Sequence, residues 1–113
     1  MKQIQAIIRR EKLGDVMNAL EEVKCPGMMV WEIVGNGKQK GITEQFRGRE
    51  FKVNLLPKAK IEIIVVDDKV KAIVDAIIKA SCTGKVGDVK IFISAVEEAV
   101  RIRTGEKGEI AVG

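Results

Sequence analysis

Histidine and tyrosine are both absent from this 113-residue sequence, and only two of its residues are cysteine. Without histidine, the chain has no Ser-His-Asp or Cys-His catalytic group and no imidazole metal site. Few side chains remain that transfer protons near neutral pH, so we expect no enzyme activity and assign no catalytic residue. Cys25 and Cys82 lie far apart and outside any CxxC pair, which predicts two free thiols in a reducing compartment.

Long apolar runs and aromatic residues are also scarce. No stretch of about 18 apolar residues is present to span a membrane, and the N-terminal segment turns polar too early for a signal peptide. We therefore expect a cytoplasmic protein without direct membrane insertion. Aromatic residues make up 4% of the chain, too few for a base-stacking sheet, so nucleic acid is not an expected partner. The net charge of +4 weakly favours anionic ligands.

Hydrophobic periodicity predicts two successive strand-helix-strand units within one domain, residues 1–113. Alternating apolar residues predict four strands, at 2–9, 28–34, 58–66 and 89–96. Helical spacing predicts one helix at 11–24 and a second from Val70, capped by Asp67 or Asp68. Two such units form a ferredoxin-like βαββαβ sandwich, an α+β fold in which an antiparallel four-stranded sheet carries both helices on one face.

The other face of that sheet is predicted to be bare and apolar, with Ile7, Ile64 and Phe92 as candidates. An exposed apolar sheet face predicts self-association. We interpret Trp31 as a packing residue rather than a ligand-stacking one. Glu62 stands in an otherwise apolar strand and needs a cationic partner if it is buried, for which Lys60 is the expected residue.

Three segments are rich in glycine and basic residues: "GNGKQKGITEQFRGREFK" at 35–52, between the two units, "TGKVGD" at 83–88 and "RIRTGEKG" at 101–108. The first two lack the element order or spacing of Rossmann and Walker motifs. Taken alone, each segment is an ordinary turn or a solvated basic surface, and the long one is equally a linker or a partner-binding arm. Together they supply the basic side chains that a polyphosphate needs, with Arg101 and Arg103 expected on one side of an extended stretch.

Five motifs occur in a familiar order: "MKQIQAIIR" at 1–9, "GKQKGITEQFRG" at 37–48, "LPKAKIEI" at 56–63, "TGKVGD" at 83–88 and "VRIRTGEKG" at 100–108. In their order and separation they resemble those of the PII nitrogen-regulatory signal-transduction proteins along nearly the whole chain. The resemblance implies a cytoplasmic homotrimer of ferredoxin-like subunits with nucleotide clefts between adjacent subunits. It implies a regulator that binds its targets, not an enzyme.

The resemblance also implies which residues bind ligands. It assigns the ATP or ADP site to residues from two adjacent subunits: Gly35, Gly37, Lys38, Gln39, Ile64, Gly87, Asp88, Val89, Lys90, Arg101 and Arg103. It assigns 2-oxoglutarate to Gln39, Lys40, Gly41 and Lys58, with Gln39 also a ligand of Mg²⁺ beside ATP. An effector loop, the T-loop at about 37–55, is then the arm that docks on a target such as an ammonium transporter or a nitrogen-metabolism enzyme. Arg47 matches the arginine that enters the transporter channel.

Among the positions that depart from the family pattern, four bear on covalent modification or ligand binding. Phe51 replaces a tyrosine that carries a nucleotidyl group in many members, so no such modification is possible there. Arg49 replaces a serine that is phosphorylated in some members. Lys38 replaces the usual arginine and loses its bidentate fork. Val89 replaces the usual glycine, which is costly if the backbone there has a positive φ or must approach the ligand closely.

Two other functions remain open at this point. One is a specialised PII-like regulator of nitrogenase or another enzyme, or a sensor of a different small molecule; the "FRGREF" sequence favours the transporter-type arm instead. The other is a ferredoxin-like metal-tolerance protein or metabolic enzyme trimer, which the lack of histidine and of clustered acidic residues disfavours.

Overall fold

The computed structural model describes the backbone of residues 1–36, 42–46, 49–53 and 55–112, and the side chains of residues 1–35 and 55–112. The described strands are β1 Lys2–Arg9, β2 Met28–Asn36, β3 Ile42–Phe46, β4 Arg49–Val53, β5 Leu55–Val65 and β6 Lys90–Ala95. The helices are α1 Leu13–Glu22 and α2 Val70–Ser81. In the described part of the chain, neither helix has the length and apolar character required to cross a bilayer.

The main sheet has the strand order β2-β5-β1-β6, and each neighbouring pair is antiparallel. Each unit contributes one central and one edge strand, so β1-α1-β2 interleaves with β5-α2-β6. The central pair runs from Lys2 opposite Val65 to Arg9 opposite Lys58. This arrangement confirms the predicted ferredoxin-like α+β fold.

The core lies between one face of the sheet and the two helices. Alternate residues of the central strands are buried because successive side chains point to opposite faces. The helices bury residues spaced four apart, which lie on one helical face. The buried apolar side chains are Ile4, Ala6, Ile8, Val16, Leu20, Ala59, Ile61, Ile63, Val65, Ile73 and Ile77. Both cysteines are free thiols, as expected.

The helix ends differ from their sequence-based prediction. α1 ends at Glu22, and Lys24 two residues later has a φ of 56°, which no α-helix accommodates. α2 has no side-chain cap at its first turn. Asp67 instead forms an ion pair with the N-terminal amino group, in which Asp67 Oδ1 lies 2.9 Å from the nitrogen of Met1. The predicted cap by Asp67 or Asp68 is therefore wrong.

The interval 35–52, interpreted from its glycines as one long loop, contains two strands. β3 and β4 pair with each other in register, from Ile42 opposite Val53 to Phe46 opposite Arg49. β-Branched and aromatic residues are frequent in these strands, and they favour extended backbone. The glycine-rich composition hid this pattern, and the prediction of a continuous loop is wrong at these residues.

The second face of the main sheet is mixed rather than uniformly apolar. By the strand registers, Ile7, Ile64 and Phe92 do share this face. Between them lies a polar network in which Lys60 Nζ is 3.1 Å from Glu62 Oε1, confirming the expected pair. Gln5 Nε2 also donates to Glu62 Oε1, at 2.8 Å. Trp31 packs under Lys60, whose Nζ lies 5.2 Å from the ring centre.

Candidate functional site

The candidate site lies at one end of the main sheet, where the loop at residues 83–89 crosses strand ends. Arg9 at the end of β1 faces Lys58 of β5 across the ladder. Gly35 near the end of β2 lies beside the same lysine, since a Cβ at Gly35 would be 3.4 Å from Lys58 Cγ. Antiparallel pairing thus brings together residues that are far apart in sequence.

The loop is a tight turn organised by the carboxylate of Asp88. Its Oδ2 accepts the backbone N–H groups of Thr83, at 2.8 Å, and Gly84, at 2.9 Å. Its Oδ1 accepts the hydroxyl of Thr83 at 2.6 Å. Gly84 and Gly87 have φ values of 76° and 116°, which only glycine adopts readily. These hydrogen bonds, with one from Arg9, hold the pKa of Asp88 well below its usual range.

Two basic residues, Arg9 and Lys58, connect the loop to the sheet. Arg9 Nε lies 2.9 Å from Asp88 Oδ1, and its Nη2 donates to the carbonyl of Val86 at 2.8 Å. Lys58 Nζ donates to the carbonyl of Gly87 at 2.8 Å. Three consecutive loop residues are therefore held from two adjacent strands.

Lys58 is unusual because its side chain is buried, with a relative exposure of only 6%. Burial lowers its pKa from the ordinary value, since the charged form loses hydration, and the nearby guanidinium of Arg9 lowers it further. Glu11 and Asp88 offset part of this effect. A buried ammonium group beside a second cation gains from an added anion, because the anion supplies the charge that hydration would otherwise supply.

Val89 and Lys90 follow the loop and lead into β6. Among the non-glycine residues that the structure describes, only Lys24 has a positive φ, so valine at position 89 carries no left-handed strain. Val89 lines a groove of about 440 Å³ beside α2, together with aliphatic side chains of α2 and β6. Lys90 is exposed at the same groove and pairs with Ile7 of β1.

The chain does not bring all predicted nucleotide-binding residues to this end of the sheet. Gly35, Gly87, Asp88, Val89 and Lys90 lie here, beside Lys58. Ile64 is six residues further along β5 and pairs with Gln3, about 20 Å away at the usual rise of a strand.

The basic C-terminal segment forms a turn instead of the expected extended stretch. Residues 102–104 are the turn, and the amide of Gly105 donates to the carbonyl of Arg101 at 2.7 Å. Arg101 Nη1 pairs with Glu106 Oε1 at 2.9 Å, and Nη2 donates to the carbonyl of Ile110 at 2.7 Å. Arg103 is exposed. The prediction that both arginines share one side of an extended segment is therefore wrong.

Several predicted site residues lie outside the residues that the structure describes: Gly37, Lys38, Gln39, Lys40, Gly41 and Arg47. For these positions the assignments remain predictions. Sequence reasoning in turn missed Arg9 and Thr83. Arg9 and Asp88 are 79 residues apart, and only the strand pairing reveals that they meet; the single available signal was a basic residue at the end of a predicted strand.

The donors at this end of the sheet suit an anion more than a bare metal ion. Basic side chains and backbone amides bind phosphate or carboxylate oxygens, whereas Mg²⁺ prefers oxygen ligands. Asp88 already accepts hydrogen bonds on both oxygens. Across the described ranges, no three histidine, cysteine or acidic side chains cluster to hold a metal.

Comparison with known proteins gives one consistent result. The family model described as nitrogen regulatory protein P-II matches residues 1–106. Nitrogen regulatory protein P-II 2 of Methanothermobacter thermautotrophicus is 58% identical over 112 residues, covering 99% of this chain and 97% of that protein. The P-II proteins of Cereibacter sphaeroides and Klebsiella oxytoca are each 54% identical, covering 99% of this chain and 100% of theirs. The resemblance drawn from the five motifs is confirmed.

Proposed function

Because the chain belongs to the family of nitrogen regulatory proteins P-II, we propose that it is a cytoplasmic signalling regulator that performs no catalysis. In this proposal it senses ATP or ADP together with 2-oxoglutarate. The bound ligands set the conformation of the loop at about 37–55, and that loop docks on a nitrogen-metabolism target such as an ammonium transporter.

The observation that carries the proposal is the buried ammonium group of Lys58 beside the loop at 83–88. Lys58 has a relative exposure of 6%, lies opposite Arg9 and contacts the Gly87 carbonyl. The Gly87 carbonyl holds this ammonium group at a fixed place beside the loop, and an ammonium group so placed is suited to a charge-assisted hydrogen bond with a carboxylate. We assign it to a carboxylate of 2-oxoglutarate, with Gln39, Lys40 and Gly41 completing that subsite.

The nucleotide phosphates are assigned to the adjacent loop and to Lys90. Gly35, Gly37, Lys38 and Gln39 belong to the same side of the cleft in this proposal. Ile64, Arg101 and Arg103 are assigned to the neighbouring copy of a homotrimer. The distance of Ile64 from the loop within one chain supports a site shared between two copies, because one chain cannot place both against one nucleotide.

Mg²⁺, when bound, supplies the positive charge that holds ATP phosphates and a keto acid together, and we assign Gln39 as its protein ligand. The protein's own part is then to bind and orient. Lys58 neutralises a carboxylate, and the turn at 83–88 presents a rigid rim. No covalent bond changes, which is consistent with a chain that has no histidine or tyrosine.

The loop response is a population shift, in which the ligand binds one loop conformation better than another. Arg47 is the residue we assign to the target. Signalling in this protein runs on ligand occupancy, since Phe51 has no hydroxyl group to carry a nucleotidyl modification.

Calorimetric titration tests the proposal directly. The wild-type protein is titrated with ATP, and then with 2-oxoglutarate in the presence and absence of ATP and Mg²⁺. We expect 2-oxoglutarate to bind only with ATP and Mg²⁺ present. Lys58→Met should weaken 2-oxoglutarate binding at least about tenfold, because it removes a charge-assisted contact, while ATP binding persists.

Lys71→Met is the matched control, since Lys71 is 88% exposed on α2 and its substitution removes the same charge. Its binding of both ligands should equal that of the wild type. Failure of the wild type to bind 2-oxoglutarate under every condition would exclude the proposed mechanism. Equal binding by Lys58→Met would exclude the assigned carboxylate contact.

A further inference from the structure

Arg9 is a partly buried arginine whose three guanidinium nitrogens each lie within 4 Å of a protein oxygen. Its side chain is 13% exposed. Nε meets Asp88 Oδ1 at 2.9 Å, Nη2 meets the carbonyl of Val86 at 2.8 Å, and Nη1 lies 3.8 Å from Glu11 Oε1. The first two contacts have the geometry of charge-assisted hydrogen bonds.

Asp88 links this arginine to the turn. Its Oδ1 receives Arg9 Nε and the Thr83 hydroxyl, while its Oδ2 receives the amides of Thr83 and Gly84. One carboxylate thus joins a side chain of a central strand to the first residues of the loop. Arg9 also fixes the peptide of Val86 on the far side of Gly87.

A loop held in this way has a defined place relative to the sheet. β1 is paired with β5 along its whole length, up to Arg9 opposite Lys58, and with β6 as far as Ile7, so its end is a rigid reference point. The internal hydrogen bonds of the turn fix its shape, but only contacts from the sheet fix its position. A phosphate group needs both, because hydrogen-bond strength falls steeply with distance and angle.

We propose that Arg9 is a positioning residue, which holds the segment Val86–Asp88 on the end of β1 so that the loop can bind nucleotide phosphates. Its Nε and Nη2 already donate to protein oxygens, so in this proposal it acts through Asp88 and Val86 without contacting the nucleotide. This inference rests on the proposed nucleotide binding and adds a residue to which that proposal gives no part.

The test compares ATP affinity, without keto acid, in four proteins. They are the wild type, Arg9→Met, Arg9→Lys and the control Arg10→Met. Arg10 is the next residue along the chain, is 56% exposed and pairs with Glu32 at 3.6 Å, away from the loop. Both methionine variants lose one positive charge, so a general electrostatic effect would appear in both.

We expect Arg9→Met to weaken ATP binding about tenfold and Arg10→Met by less than about twofold. Arg9→Lys should fall between, because an ammonium group reaches one of the two oxygens that the guanidinium bridges. If Arg9→Met does not fold, Arg9→Lys carries the comparison. ATP affinity equal to wild type in the folded Arg9 variant would overturn the proposal.

Two further measurements separate positioning from direct contact. Amide hydrogen exchange at residues 83–88, without ligand, should accelerate in Arg9→Met and stay unchanged in Arg10→Met. In a cycle with Asp88→Asn, the double variant should lose less affinity than the product of the two single losses, because both changes break one linkage. Fully multiplicative losses, or unchanged exchange, would show that Arg9 acts otherwise and would refute positioning.

The outcome also distinguishes this inference from the proposed function. A wild type that binds neither ATP nor ADP refutes nucleotide sensing, and no Arg9 variant is then needed to see it. If Arg9→Met and the wild type bind ATP equally well, only the positioning role is refuted.

Discussion

Asp88 accepts hydrogen bonds from Thr83, Gly84 and Arg9, all of which favour its charged form. This lowers its pKa in the folded protein below the ordinary value of 3.8. A carboxyl group with a depressed pKa stabilises the fold above its unfolded-state pKa, and this contribution is lost as the pH falls towards the folded-state pKa.

Asp88→Asn should therefore destabilise the protein most at neutral pH. The difference in unfolding free energy between wild type and variant should shrink as the pH falls below 3.8, where the unfolded-state carboxyl is protonated. Urea unfolding at pH 7 and at about pH 3 measures it. A difference of the same size at both pH values would mean that the charge of Asp88 does not stabilise the loop.

At the scale of single residues, the sequence predicted which residues form the site better than it predicted their backbone conformation. The motif resemblance singled out Lys58, Gly87 and Asp88, which do meet. The concern that Val89 needs a positive φ was wrong, because the turn places its left-handed residues at Gly84 and Gly87. A backbone angle depends on the surrounding hydrogen bonds, and one residue name does not encode it.

At the scale of elements, the helices show how well hydrophobic periodicity predicts which residues are buried. In the sequence, the apolar residues Val70, Ile73, Val74, Ile77 and Ile78 recur at helical spacing, which predicts that both Ile77 and Ile78 lie on the inner stripe of α2. The structure buries Ile77 completely and leaves Ile78 50% exposed. Adjacent residues are about 100° apart around a helix, so only one can face the centre of the core.

This pair of isoleucines gives a matched test of the core. Ile77→Ala should lower the free energy of unfolding by about 2–5 kcal/mol, since it leaves a cavity in a packed interior. Ile78→Ala removes the same atoms from a half-exposed site and should cost less than about 1 kcal/mol. Denaturant unfolding measures both. Equal losses would contradict the helix orientation described here.

The strand predictions were confirmed for β1 and β5. One face of each of these strands is buried in the core, so its apolar residues alternate along the chain. The strand predictions failed for β3 and β4, which form a separate two-stranded sheet in the part of the chain that the structure describes. In that interval the glycines and charged residues led to the prediction of a loop, although the sequence also contains a short alternation of apolar and polar residues. α1 was predicted two residues too long at its C-terminal end because the pattern does not reveal that Lys24 leaves the helical region.

At the scale of the whole molecule, the open face of the main sheet is the surface through which we expect copies of the chain to associate. It exposes Trp31 at 42% and Phe92 at 49%, around the polar network of Gln5, Lys60 and Glu62. Polar groups within an apolar surface favour a specific partner over nonspecific association, because each polar group must form a hydrogen bond in the complex.

Sedimentation equilibrium should give a mass three times the 12.4 kDa of one chain. Phe92→Lys places a charge on the open face and should shift the equilibrium towards monomer. Met17→Lys is the control, since Met17 is exposed to a similar extent, at 42%, on α1 at the helical side of the sheet. A monomeric wild type, or equal masses for both variants, would contradict assembly through the open face.

The hydrogen bond between Arg9 and Asp88 spans 79 residues of chain. During synthesis the N-terminal part emerges first, and the loop that Arg9 and Lys58 hold emerges only after three of the four strands of the main sheet have been made. The contacts of Arg9 and Lys58 with this loop therefore form late, because they need a segment made after both central strands. Under the proposed function, an unfinished or truncated copy that lacks the loop also lacks the phosphate-binding part of the site, so it does not compete with intact protein for the nucleotide.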